Sequence, residues 1–125
     1  MDHGKIQNAL SRFGEIVSNE WEVDFVLLFG SQARGDAMPE SDIDVAVVFS
    51  GNSLDFDYWT VRTKLSDIAY DILLEIGEII SPLPLWRNQW DDPSLHTNPA
   101  LVANIHRDGI FLSIAPKQIN GAENV

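Results

Sequence analysis

Residues 23–49 read VDFVLLFGSQARGDAMPESDIDVAVVF, and this stretch decides the fold. Val23–Phe29 is a compact apolar run, β-branched or aromatic at its ends, that stops at Gly30 as a buried strand would. Residues 42–49, DIDVAVVF, form a second strand that opens with two acids at alternate positions. Working toward the N-terminus, Ile6, Leu10, Phe13 and Val17 recur at helical spacing and predict a helix over residues 3–19. Toward the C-terminus, Ser50-Gly51-Asn52-Ser53 is a turn cluster, followed by a long helix from Asp55 to Ile76. Leu65, Ile68, Ile72 and Ile76 line its inner face, and Gly77 ends it. Glu78–Leu85 reads as a third strand, and Pro82 and Pro84, which offer no N–H, argue for an edge or an early exit. Asn98-Pro99 begins a short helix through Arg107, Gly109 closes it, and Ile110–Ile114 adds a last strand. The order α-β-β-α-β-α-β predicts an α/β sandwich, a small mixed sheet with flanking helices and Val23–Phe29 at its centre. One domain over residues 1–114 and a flexible tail over 115–125 complete the expected organisation.

The 125 residues carry 8 Lys and Arg against 19 Asp and Glu, a net charge of −11. So acidic a surface repels a phosphate backbone, which excludes direct DNA or RNA binding through basic patches. It disfavours an anionic membrane surface for the same reason and suits a basic protein partner or bound cations. There is no cysteine, so disulfides, thiolate metal sites and cysteine nucleophiles are all excluded. The polar start Met1-Asp2-His3-Gly4-Lys5 and the lack of a long apolar run predict no signal peptide and no membrane span. A cytoplasmic protein is the expectation.

The chemistry concentrates between the first two strands. Gly30-Ser31 at a strand exit, leading into a short helical turn, lets backbone and hydroxyl approach an anion closely. Arg34, one turn on, adds a charge-assisted contact to the same phosphates. Asp42 and Asp44 stand at i and i+2, so their carboxylates share one face about 7 Å apart along the strand. A carboxylate pair beside a phosphate cradle suits Mg²⁺, which completes its octahedron with water and substrate phosphate. His3, His96 and His106 have no metal-binding spacing. Trp86 and Trp90 bracket Arg87 in an aperiodic, proline-flanked segment that reads either as core or as an exposed protein-binding patch.

Gly30-Ser31, ten residues, then Asp42-Ile43-Asp44 resembles the signature of the DNA polymerase β-like nucleotidyltransferase superfamily. The string GSQARGDAMPESDIDVAVV resembles its minimal single-domain branch, the MNT proteins, and the closing NIHRDGIFL extends the likeness. The resemblance implies the polymerase β-like fold and a Mg²⁺-dependent nucleotidyltransferase with ATP as substrate. It also implies that Asp42 and Asp44 hold two Mg²⁺ ions about 3.5–4 Å apart. Gly30 and Ser31 would grip the β- and γ-phosphates, and Arg34 would neutralise charge during in-line attack on the α-phosphorus. Ser41 could cap the turn before the acidic strand. One further acid is implied on the neighbouring strand as metal ligand and general base. Glu78 is the only acid there, and Asp71 and Glu75, four apart on the preceding helix, are the other candidates. Short members of this branch pair as antitoxins with a HEPN-domain ribonuclease toxin and transfer AMP from ATP to a toxin tyrosine. Two alternatives stand beside this reading: an antitoxin that neutralises by binding alone, and an aminoglycoside-type small-molecule nucleotidyltransferase.

Overall fold

A computed structural model describes residues 3–36 and 42–113 of the chain. Ser41, Ile114 and the tail over residues 115–125 lie outside the described residues. Helix α1 (His3–Glu20) precedes strand β1 (Val23–Phe29), which runs directly into a single-turn helix, α2 (Gly30–Arg34). Strand β2 (Ile43–Phe49), helix α3 (Tyr58–Ile76) and strand β3 (Ile80–Trp86) follow. A short helix α4 (Arg87–Asp91), helix α5 (Pro99–Asp108) and strand β4 (Ile110–Leu112) close the fold. Short 3-10 turns occupy Ser53–Asp55 and Pro93–Leu95.

The four strands form one mixed sheet in the order β3-β2-β1-β4. β1 pairs antiparallel with β2 and with β4, whereas β2 and β3 run parallel, joined by α3 as the crossover. β2 lies at the centre with β1. It is the more buried of the two, with every residue from Val45 to Phe49 enclosed. The expectation of β1 at the centre holds, and β2 shares that position. β1 is the less enclosed because its far neighbour, β4, is only three residues long.

Alternation along β2 separates two cores. Ile43, Val45, Val47 and Phe49 face α1 and α3, meeting Ile6, Leu10, Phe13 and Val17 from α1 and Val61, Leu65, Ala69 and Ile72 from α3. Ala46 and Val48 face the other way, onto Val102 and Ile105 of α5, with Leu27 and Leu85 beside them. At roughly 1.5–3 kcal/mol for each fully buried aliphatic side chain, the α1/α3 layer contributes most of the hydrophobic stabilisation.

β3 forms the predicted edge. Ile43 N–H donates to Ile79 O at 2.8 Å while Ile43 pairs in register with Ile80. Odd-numbered β3 residues therefore turn their backbone groups toward β2. Pro82 and Pro84 fall on outward positions, where the missing N–H breaks no ladder bond. The long helix begins at Tyr58 rather than Asp55, because Asn52 accepts from the Leu54 N–H and starts a separate 3-10 turn. Asp57 then caps the helix with its carbonyl, accepting from the Val61 N–H at 3.1 Å. Trp86 and Trp90 are not an exposed patch. Trp86 is buried between Phe49 and Phe56, and Trp90 stacks on His106 with ring centroids 3.6 Å apart.

Candidate active site

β1 ends where β2 begins, because the two are antiparallel with Phe29 opposite Asp44. That pairing brings Gly30 against the acidic start of β2. Gly30 has φ +72°, a left-handed conformation that side chains rarely adopt. A Cβ built on it would overlap the Asp44 carboxylate at Oδ2. Glycine is thus required twice over, by backbone conformation and by the carboxylate seated against it. Gly35 ends α2 at φ +80°, its N–H donating to Ser31 O at 3.0 Å.

Asp44 shares its face of β2 with Ala46 and Val48, so it opens the row that continues into the α5-side core. Partial burial raises its pKa above the ordinary carboxylate value; the neighbouring Asp42 raises it further, and Arg34 opposes both. Arg34 projects from the end of α2 and donates to Asp36 at 3.4 Å. Phe29, Gly30, Ser31, Arg34 and Asp44 line one depression of about 340 Å³, closed on its far side by Leu101, Asn104 and Asp108 of α5. Asp108 is held below the usual carboxylate range by its hydrogen bonds from Arg107, with Arg34 adding in the same direction.

Asp42 is exposed, two residues ahead of Asp44, and lines a second groove of about 310 Å³ between α3 and β3. The carboxylate pair therefore stands on the divide between two depressions. Gly30, Ser31, Arg34 and Asp44 are brought together as the sequence suggested, with Asp42 adjacent. Glu78 lines neither depression. Among the described residues, no three His, Asp or Glu side chains assemble into a metal cage. Asp71 is exposed, and Glu75 pairs with Arg12 at 3.4 Å on the α1 side. The residue in parallel register with Asp44 on β3 is Ser81, exposed and uncharged.

Two carboxylates flanked by a glycine turn with no room for a side chain fit a hard divalent cation of the Mg²⁺ type. Such an ion takes one or two protein carboxylates and fills its remaining positions from water and phosphate. Asn104 and Asp108 had no signal of their own in the sequence. They lie more than sixty positions from Gly30, and only the packing of α5 over the sheet brings them in.

The family described as "Polymerase beta, Nucleotidyltransferase" matches residues 12–85. A protein of Methanocaldococcus jannaschii, named provisionally as a protein adenylyltransferase, is 32% identical over 79 residues. That match covers 62% of this chain and 70% of the relative. Among solved structures, one from Sulfolobus solfataricus, described provisionally as a nucleotidyltransferase, superposes with a TM-score of 0.59 at 20% identity. It covers 87% of this chain and 82% of its own. A toxin–antitoxin crystal structure with AMP-PNP gives a TM-score of 0.53 at 18% identity, over 93% and 76% of the two chains. At these identities the structural likeness establishes the fold.

Proposed function

The chain belongs to the polymerase beta nucleotidyltransferase family, and from that premise we propose that it is the antitoxin of a toxin–antitoxin pair. It transfers AMP from ATP to a tyrosine of a HEPN-type ribonuclease toxin. The observation that carries the reading is Gly30 seated on Asp44, which ties a close-approach phosphate turn to the carboxylate pair. The name of the archaeal relative supports protein as the acceptor, and the toxin–antitoxin complex of similar fold supports the pairing. A net charge of −11 suits a basic partner.

In this proposal Gly30 and Ser31 hold the β- and γ-phosphates, with the turn free of any side chain that would block them. Arg34, already beside Asp44, neutralises charge that builds on the transferring phosphate. Asp42 and Asp44 would hold Mg²⁺, which would supply positive charge against that of the phosphates. The acceptor oxygen bonds to the α-phosphorus as the bond to pyrophosphate breaks, which leaves an AMP ester on the acceptor and free pyrophosphate. The hydroxyl proton passes to solvent, because among the described residues no third acid completes a metal-holding group with the pair.

That same feature favours one second reading, an antitoxin that silences by binding alone. Incubation with labelled ATP, Mg²⁺ and the product of the adjacent gene, followed by mass spectrometry, separates the two. Label on a partner tyrosine, lost in Asp42→Asn with Asp44→Asn, supports transfer. Toxin neutralised without mass gain, equally well by the double variant, overturns it.

A further inference from the structure

We infer that the groove between α3 and β3 is the acceptor site, and that it takes an extended polypeptide segment bearing the acceptor hydroxyl on apolar sequence, with an acidic residue four to five positions away. The inference rests on the preceding reading, in which the pyrophosphate end of the nucleotide occupies the Gly30–Arg34 depression.

In-line transfer requires the entering and leaving oxygens on opposite sides of the phosphorus. Asp44 lines the depression that receives the leaving group, and Asp42 lines the groove on the other side of the divide. The attacking hydroxyl therefore enters from the α3/β3 groove. Its walls differ from those of the nucleotide side. Asp42, Leu73, Ile79, Ser81 and Arg62 all line it. The Ile43 N–H bond to Ile79 O keeps Ile79 next to the start of β2, and Arg62 lies eleven positions before Leu73 on α3.

Two exposed apolar side chains line this groove, Tyr70 at 58% and Ile79 at 48% exposure. Leu74, 69% exposed, stands one helical turn from Tyr70 on α3. An apolar strip contiguous with a charged catalytic edge fits a protein surface better than a small sugar or nucleoside. The strip is not a site for strand addition, because Pro82 and Pro84 leave the outer edge of β3 poor in N–H donors. Side chains, not backbone pairing, must hold the segment.

Arg62 takes part in none of the ion pairs among the described residues; its guanidinium lies over the Trp59 ring, 5.7 Å from the centroid. On a chain of net charge −11 a lone guanidinium does little for overall attraction, but it fixes the direction and register of what binds. From Arg62 to Tyr70 and Leu73 the helix axis runs about 12–16 Å at ~1.5 Å per residue. An extended chain spans that in roughly four to five residues at ~3.3 Å each, which sets the spacing between acid and hydroxyl.

The test uses the ¹⁵N-labelled full chain with Mg²⁺ and α,β-methylene-ATP, whose α–β bridge cannot be cleaved, titrated with the peptide acetyl-Tyr-Leu-Ala-Leu-Glu-amide or its counterpart ending in Lys. The nucleotide analogue alone should shift the Ser31 and Arg34 amides; absence of those shifts overturns the nucleotide reading beneath this proposal. With nucleotide bound, the Glu peptide should shift the Tyr70, Ile79 and Ser81 amides and the Arg62 Nε–H. It should bind about tenfold more tightly than the Lys peptide. Arg62→Glu should invert that preference while leaving the shifts caused by the nucleotide analogue unchanged. Ile79→Ser, also at an exposed position, should weaken both peptides. Equal binding of the two peptides, shifts confined to the Gly30–Asp108 depression or to Trp59 and Trp86, or no peptide shift beside an intact nucleotide response, each overturns the acceptor site alone.

Discussion

Gly30→Ala is the substitution that reports most directly on how the site is built. Two separate costs meet at this position. A left-handed backbone costs a residue with a Cβ roughly 1–2 kcal/mol, and φ here is +72°. The new methyl would also overlap Asp44 Oδ2, so the carboxylate must move. Gly35 separates the two effects. Its φ is +80°, yet a Cβ there meets nothing within 4 Å, so Gly35→Ala carries the conformational cost alone. In urea denaturation followed by circular dichroism, Gly35→Ala should lose about 1–2 kcal/mol and retain Mg²⁺-dependent AMP-PNP binding. Gly30→Ala should lose more and weaken that binding at least tenfold. The decisive measurement is the double-mutant cycle with Asp44→Ala. Once the carboxylate is gone, only the Cβ of residue 44, at 3.3 Å, still crowds the new methyl. Gly30→Ala should then fall most of the way to the cost of Gly35→Ala, a coupling of roughly 0.5–3 kcal/mol between positions 30 and 44. Equal costs for the two glycines in the wild-type background, with coupling below about 0.5 kcal/mol, would refute the seating of Asp44 on Gly30.

Asp44 binds a proton more tightly folded than unfolded, since burial and Asp42 raise its pKa against the pull of Arg34. Its contribution is therefore fully present below about pH 4 and is lost as pH rises through the raised value. Asp44→Asn should raise the thermal midpoint of the metal-free protein at pH 7 and abolish the midpoint gain on adding Mg²⁺, both read by calorimetry. Ser81→Asp would set a third carboxylate in register with Asp44; it should lower metal-free stability through like-charge repulsion and tighten Mg²⁺ binding about tenfold by titration calorimetry. Unchanged Mg²⁺ affinity there would mean that the register position does not face the pair. His106→Ala removes both the stack on Trp90 and the 2.8 Å contact to Trp90 O, and should cost about 1–2 kcal/mol in urea with an unchanged m-value.

Most of the fold could be read from local pattern, because each long element carries its own periodicity. Ile6, Leu10, Phe13 and Val17 predict α1 without reference to the rest of the chain, and all four are buried. Pro82 and Pro84 identify an edge strand by chemistry alone. The misjudged elements are those whose character depends on a distant neighbour. Trp86 looked ambiguous because nothing local says that Phe49, at the end of another strand, lies against it with centroids 5.4 Å apart. The long helix starts only at Tyr58 because the chain before it turns in a 3-10 segment whose Ser53 N–H donates to Asn88 Oδ1 at 2.9 Å, a partner 35 positions away.

The candidate site divides along the same line. Gly30, Ser31, Arg34, Asp42 and Asp44 were legible because one antiparallel connection holds them, and turn chemistry and strand alternation are local properties. What tertiary structure alone decided is the surroundings of that pair. The parallel register of β3 puts uncharged Ser81, rather than Glu78, beside Asp44. The packing of α5 brings Asn104 and Asp108 to the depression lined by Gly30, Ser31, Arg34 and Asp44, and the packing of α3 against β3 opens a separate groove at Asp42. Such contacts join residues far apart in the chain, and their geometry is set by how helices seat on a twisted sheet, which no short stretch of sequence encodes.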